Sequence, residues 1–193
     1  MLTTSGGTAF LGEDSLGGVR LAISARGELL GHEIELVGED SLCSAEGGQA
    51  AAQRLAADES IVGIVGSSCS SEAAAALPII SEAGMLMVSS SNTAPRLTEA
   101  DADKGGIWQP GYYRTAHNDL FQGKIAADFA YTVKGFKNVA TVHDGSPYAE
   151  SLQAVMAENF AALGGTVSFQ GAINVGDTDM TAILTEIAAS SPD

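Results

Sequence analysis

Apolar positions along the chain repeat with two alternating periods. Leu16, Val19, Ala22 and Ile23 recur at helical spacing, and the "HEIELVGED" that follows reads as a strand. "GGQAAAQRLAADE" is predicted helical, "IVGIVG" a strand, and "SEAAAALPIISEAG" a helix ending at Gly84. "MLMVSSS" is a further strand, running into serines ahead of Pro95. The rhythm then breaks. Glu99 to Gly111 carries charges, Gly105, Gly106, Pro110 and the only tryptophan, which predicts a surface loop, and "YYRTA" reads as a strand leading out of it. Alternation resumes with a helix over Asp119 to Val133, a strand "KNVATVHD", and a helix with Leu152, Val155, Met156, Phe160 and Leu163 on one face, closed by Gly164 and Gly165. A strand "TVSFQGAI" and a helix with Met180, Ile183, Leu184 and Ile187 complete the chain.

Such βαβ repetition predicts the α/β class, with parallel sheets and helices on both faces. The break near Ala116 predicts two doubly wound parallel-sheet lobes, 1–116 and 117–193. "TTSGGTAF" is a loop where a strand should open the first lobe, and only "SPD" follows the last helix. Both lobes are therefore expected to be incomplete, the first lacking its first strand and the second truncated at its C-terminus.

Composition narrows the function classes. With 193 residues, 45% of them hydrophobic, the chain can bury one sizeable core or two small ones. No apolar run approaches the ~20 residues of a membrane helix. "MLTTSGGTAF" has neither a basic nor an apolar leader region, so no signal segment is expected in this sequence. Nine Lys plus Arg against 24 Asp plus Glu leave a net charge of -15, which argues against nucleic acid or an anionic membrane surface as partner. Cys43 and Cys69 do not have a metal spacing. From the count alone, free thiols and a disulfide both remain open. Pairing would imply an oxidising compartment.

Candidate chemistry sits where strands end. In open α/β sheets, ligands lie at the carboxyl ends of strands, facing helix N-termini. Three polar clusters fall there: "GSSCSS" after Val65, "SSSNT" after Val88 and "HDGSPY" after Val142. Ser70 and Ser71 either cap a helix or present hydroxyl and amide donors to an anion. Glu72 stands three residues after Cys69 rather than after a serine, so no reciprocal capping box is expected and the donors should stay available. Glu72 also places negative charge in the first turn, which opposes an anion there. Thr93, with Ser91 and Asn92, either makes a turn before Pro95 or lines a site; Tyr148 is either a half-buried residue at a helix start or a site residue.

The catalytic and metal readings fail. No Lys follows the glycines as a phosphate loop requires, and "GSSCS" has Ser70 where a nucleophile elbow needs its second glycine. His143 and Asp144 are strand neighbours and point to opposite faces. His32 and His117 stand alone, without metal-ligand spacing. No enzyme activity, metal or cofactor is expected.

Several motifs together resemble a known family. "LGEDSLGGVRLAI", "EDSLC", "IVGSSCSS", "SEAGMLMVSSSNTAPRLT", "YYRT" and "VHDGSPYAESL" are similar, in order and spacing, to type I periplasmic binding proteins that feed branched-chain amino acid ABC transporters. The resemblance extends over essentially the whole chain. It implies two α/β lobes that close on an amino acid, with a hinge near Ala116 to Asp119. Ser70 and Thr93 match residues that bind the ligand α-carboxylate, Ser91 a backbone carbonyl that receives the α-ammonium, and Tyr148 a residue that covers the ligand. Cys43 and Cys69 match a disulfide of Leu/Ile/Val-binding members. Leu11, with Phe10 beside it, stands where those members have a tyrosine. The family's first strand, the later parts of both lobes and an acidic residue toward the α-ammonium have no counterpart in this sequence. The reading implied is an extracytoplasmic, periplasmic or cell-surface receptor, monomeric, that hands a small amino acid or similar amide to a membrane permease of an ABC transporter. A ligand-sensing regulator with the same bilobed fold is the alternative.

Overall fold

The computed structural model describes all residues, 1–193. The chain forms two compact units, Met1–Ala116 and His117–Asp193. No helix is long and apolar enough to cross a membrane.

The first unit opens with helix α1 (Phe10–Arg26), stopped at Gly27, and continues into a two-residue hairpin, β1 (Glu28–Leu29) with β2 (His32–Glu33). Helix α2 (Ala45–Ala56) is capped by Ser44, whose hydroxyl oxygen accepts the Gly47 N–H. Strand β3 (Ile64–Val65), helix α3 (Ser70–Glu82), strand β4 (Met87–Ser89) and strand β5 (Tyr112–Arg114) follow. The three strands pair in parallel, with Val65 opposite Val88 and Ser89 opposite Arg114.

On the other side of β3, Met1 donates its amine to the Val65 carbonyl at 3.1 Å, and Leu2 makes a parallel bridge with Asp40. In space the order is therefore Glu39–Ser41, Met1–Thr3, β3, β4, β5. The chain's progress across the sheet reverses between Met1–Thr3 and β3, the position where doubly wound sheets open a crevice.

Two expectations need correction. "HEIELVGED" is a strand only at His32–Glu33, because a ladder needs a neighbour along its whole length and Met1–Thr3 pairs with this segment only at Leu2. The segment Glu99–Gly111 is not simply a surface loop: Ile107 and Trp108 pack against the core, and the indole N–H donates to the Tyr112 carbonyl at 3.1 Å.

The core of this unit is the α2–α3 contact laid on the sheet, with Ala51, Ala52, Leu55, Ala73, Ala76, Leu77, Ile80, Met87 and Tyr112 buried. The alanines let the two helices approach closely, and Gly48 sets the limit, since a Cβ there would stand 2.6 Å from the Glu72 backbone. Gly48→Ala is expected to push the helices apart and cost about 1–3 kcal/mol, read as a lower urea midpoint with unchanged slope.

In the second unit, helix α4 (Asp119–Asp128) runs into a π-helical turn, Phe129–Val133. Strand β6 (Asn138–His143), helix α5 (Pro147–Ala162), strand β7 (Thr166–Ala172) and helix α6 (Thr181–Ser190) complete it. Strands β6 and β7 pair in parallel. Phe160 is fully buried and meets Tyr131 edge to face, with ring centroids 5.7 Å apart.

Candidate functional site: the strand exits of the first unit

After Val65 the chain turns at Gly66, whose φ of +147° suits glycine and whose Cβ would stand 1.9 Å from the Met1 carbonyl oxygen. The serines that follow have separate tasks. Buried Ser67 points its hydroxyl at the Cys69 carbonyl (3.0 Å) and Asn92 Oδ1 (3.3 Å). Ser68 accepts the Thr3 N–H at 3.0 Å, and Ser71 donates to the Cys43 carbonyl at 3.2 Å. All three hydroxyls bond within the fold, Ser67 and Ser71 as donors and Ser68 as an acceptor that keeps its own proton.

Ser70 differs. It is the first residue of α3 and 3% exposed, and its oxygen accepts the Ala94 N–H at 3.3 Å. That bond leaves the Ser70 hydroxyl proton to donate, and as the first helical residue its own N–H lacks an intrahelical acceptor. It also brings Thr93, the neighbour of Ala94, alongside the start of α3. Half-buried Thr93 uses neither its N–H nor its hydroxyl in a hydrogen bond within the protein. Ser91 belongs to the same loop, where Ser89 Oγ receives the Ser91 N–H (3.1 Å) and the Asn92 N–H (2.9 Å) and donates to the Ser67 carbonyl (2.8 Å). The two serine-rich exits are thus stitched together at their bases, with unused donors side by side at Ser70 and Thr93. Four such donors are suited to a carboxylate, which needs several bonds once it leaves water.

Leu11 is the second residue of α1 and half-buried. One turn on, Ser15 donates to the Leu11 carbonyl at 3.0 Å and meets Ser90 Oγ at 3.0 Å, which ties the start of α1 to the loop after β4. Tyr148 belongs to the second unit, where it is the second residue of α5, 39% exposed, and accepts from Gln122 Nε2 at 3.3 Å. There His143 Nδ1 accepts the Gly145 N–H, while Asp144 accepts the Ser146 N–H, and the bonds from Ser146 hold its carboxyl below the usual carboxylate range. These are turn-forming roles.

Cys43 and Cys69 form a disulfide. Beside it lies a correction to the capping expectation. Glu72 is fully buried and reaches back to the Cys69 N–H at 2.7 Å, so the glutamate arm of the box is made. Its other oxygen accepts the Cys43 N–H at 2.6 Å and the Thr3 hydroxyl proton. The local pattern hid this because two of the three donors come from residues distant in the chain. Glu72 is thus a structural acceptor bracing the disulfide, with its oxygens already occupied.

Two further residues, Asn92 of the turn before Pro95 and Arg114 of the strand "YYRTA", have structural roles that the sequence does not indicate. Asn92, fully buried, accepts at Oδ1 from Tyr112 OH (3.1 Å) as well as from Ser67. Burial pushes the Tyr112 hydroxyl up to about 12 although Arg114 opposes it, so this phenol remains a donor at neutral pH. Arg114 extends its guanidinium under the loop, with Nη1 donating to the carbonyls of Asn92 (3.3 Å) and Ala94 (2.9 Å) and Nη2 to the Thr98 hydroxyl. The only sequence signal was a charged residue in phase with buried Tyr112 on a short strand.

Residues 1–193 match the family described as periplasmic binding protein. The chain belongs to that family. An amino acid binding protein of Pseudomonas aeruginosa is 30% identical over 96% of this chain and 49% of its own length. Among solved structures, a leucine binding protein from Thermotoga maritima superposes with a TM-score of 0.89 at 29% identity, covering 99% of this chain and 52% of that one. A solute binding protein of an ABC transporter from R. palustris, in complex with benzoate, gives 0.85 at 26% identity, covering 100% and 52%. This chain therefore spans about half the length of the periplasmic binding proteins it matches. The α/β class with parallel sheets, the disulfide and the family resemblance read from the motifs all hold, and the relatives are binding proteins rather than enzymes.

Proposed function

We propose that the chain is part of an extracytoplasmic receptor that delivers a small carboxylate-bearing solute, foremost a branched-chain amino acid, to the membrane permease of an ABC importer. The observation that carries this is the Ala94 N–H bond to Ser70, which sets Thr93 beside the start of α3 and leaves unspent donors at both residues. In this reading Ser70 and Thr93 hold the α-carboxylate, the Ser91 carbonyl accepts from the α-ammonium, Leu11 faces the ligand side chain and Tyr148 covers it. Aligned amides and hydroxyls at a helix start bind an anion without a full positive charge, a geometry worth up to about 2 kcal/mol from the helix dipole alone when partly buried. A net charge of -15 repels simple anions more than zwitterions, which favours an amino acid. The likeness to a benzoate-bound structure supports a second reading, an aromatic acid held by the same carboxylate contacts.

Isothermal titration of the longest polypeptide containing these residues, against leucine, valine, a wider amino-acid panel and benzoate, tests both. Heat with an amino acid and none with benzoate supports the first reading. The reverse supports the second, and no heat with any of them on a folded protein ends both the amino-acid and the aromatic-acid readings.

A further inference from the structure

We infer that Arg114 is a positioning residue for the carboxylate site, aiming the Thr93 N–H by holding the carbonyls on either side of it. The inference rests on the reading of Ser70 and Thr93 given above. A trans peptide unit points its C=O and its N–H in opposite directions. The Asn92 carbonyl and the Thr93 N–H belong to one such unit, and Arg114 Nη1 holds that carbonyl at 3.3 Å. The Thr93 N–H therefore points away from the guanidinium. The next unit joins Thr93 to Ala94, and its N–H goes to Ser70 Oγ at 3.3 Å, so the Thr93 carbonyl points away from Ser70. One residue further, the Ala94 carbonyl returns to Nη1 at 2.9 Å.

The orientation of Thr93 is thus determined on both sides. Without the guanidinium, the peptide between Asn92 and Thr93 could rotate and present a carbonyl oxygen where the site needs a donor. Such a rotation would set a dipole against a bound carboxylate. The planar fork of arginine suits this task, because one rigid group spans two carbonyls and the Thr98 hydroxyl, whereas a lysine ammonium is a point donor on a flexible stem.

The test is the ratio of affinities for L-leucine and L-leucinamide, measured by titration on the longest polypeptide containing these residues, or for benzoate and benzamide if benzoate is the better ligand. A guide that acts through a carboxylate donor should change this ratio, while a merely structural residue should weaken both ligands alike. Arg114→Gln is expected to lower leucine affinity by about 10- to 100-fold, the range for losing a hydrogen bond to a charged group, and leucinamide affinity by much less. Arg114→Lys, which keeps the charge, should fall between and provides the test if the glutamine variant does not fold. A wild type that prefers the acid, combined with variants that keep the wild-type ratio or weaken both ligands equally, overturns the role of Arg114. A wild type that binds acid and amide equally, or neither pair, overturns the carboxylate reading itself and the Arg114 role with it.

Discussion

Replacing Glu72 with alanine is expected to destabilise the first unit by about 3–5 kcal/mol, because it removes at once the acceptor of two part-buried amides and of the buried Thr3 hydroxyl, leaving only the Cys43 N–H a second acceptor, Thr3 Oγ1 at 3.1 Å. The carboxylate receives the Cys43 N–H, the Cys69 N–H and the Thr3 hydroxyl in a fully buried position. It also holds a strained segment, since Leu42 and Cys43 both have positive φ, 58° and 52°. Glu72→Gln should cost less, because its carbonyl oxygen still accepts while its NH2 meets a donor on the other side. The single tryptophan, Trp108, lies in this unit, so urea unfolding followed by its fluorescence reads the unit directly. A Glu72→Ala chain as stable as wild type would mean that these donors find water or other acceptors and that the carboxylate is dispensable.

The second large effect concerns the disulfide. Cys43 and Cys69 are separated by 26 positions, and closing a loop of that size stabilises the fold by about 3.5 kcal/mol through the entropy of the unfolded chain. The double replacement Cys43→Ala with Cys69→Ala should therefore lower the unfolding free energy by about that amount. Glu72 binds the backbone amide of each cysteine, so the two losses should not add. With the disulfide gone and the 42–43 turn relaxed, removing Glu72 should cost about 0.5–3 kcal/mol less than it does in the wild type. Strict additivity would show that the carboxylate and the disulfide brace the fold independently.

Glu72 also illustrates how the donors proposed for a carboxylate can coexist with an acidic residue in the same helical turn. Read along the chain, its charge opposes a ligand carboxylate. In three dimensions its oxygens are occupied by Thr3, Cys43 and Cys69, while the unspent donors belong to Ser70 and Thr93. The other serines of the two clusters have a different part. Ser67, Ser68, Ser71 and Ser89 bind backbone or Asn92, and so hold the two strand exits at a fixed spacing.

All six helices were legible in the sequence because helical spacing of apolar residues and stop signals are local properties. Strands β3 to β7 were legible for the same reason, as short β-rich runs between turn signals. Ser70 and Thr93 were placed by motif order, which captured that each follows a strand. Which serines would be free was not legible, since that depends on partners 22 to 65 positions away, such as Ser67 for Ser89 and Thr3 for Ser68. "HEIELVGED" is a strand over less of its length than its composition predicts, because a strand is completed by its neighbour rather than by its own propensity. Asn92 and Arg114 carry no local signature of their roles, and Glu72 shows locally only its bond to the Cys69 N–H three residues before it. An asparagine in a turn, an arginine on a strand and a glutamate in a first helical turn are ordinary, and only the packed sheet brings their partners within reach. Residue type and spacing suffice for the alternation of elements, the acidity and the serine-rich strand exits, because each of these is a local property of the chain. Which polar groups are consumed and which stay free emerges only in the folded chain, because hydrogen bonds are saturable and their partners become available only when distant segments meet.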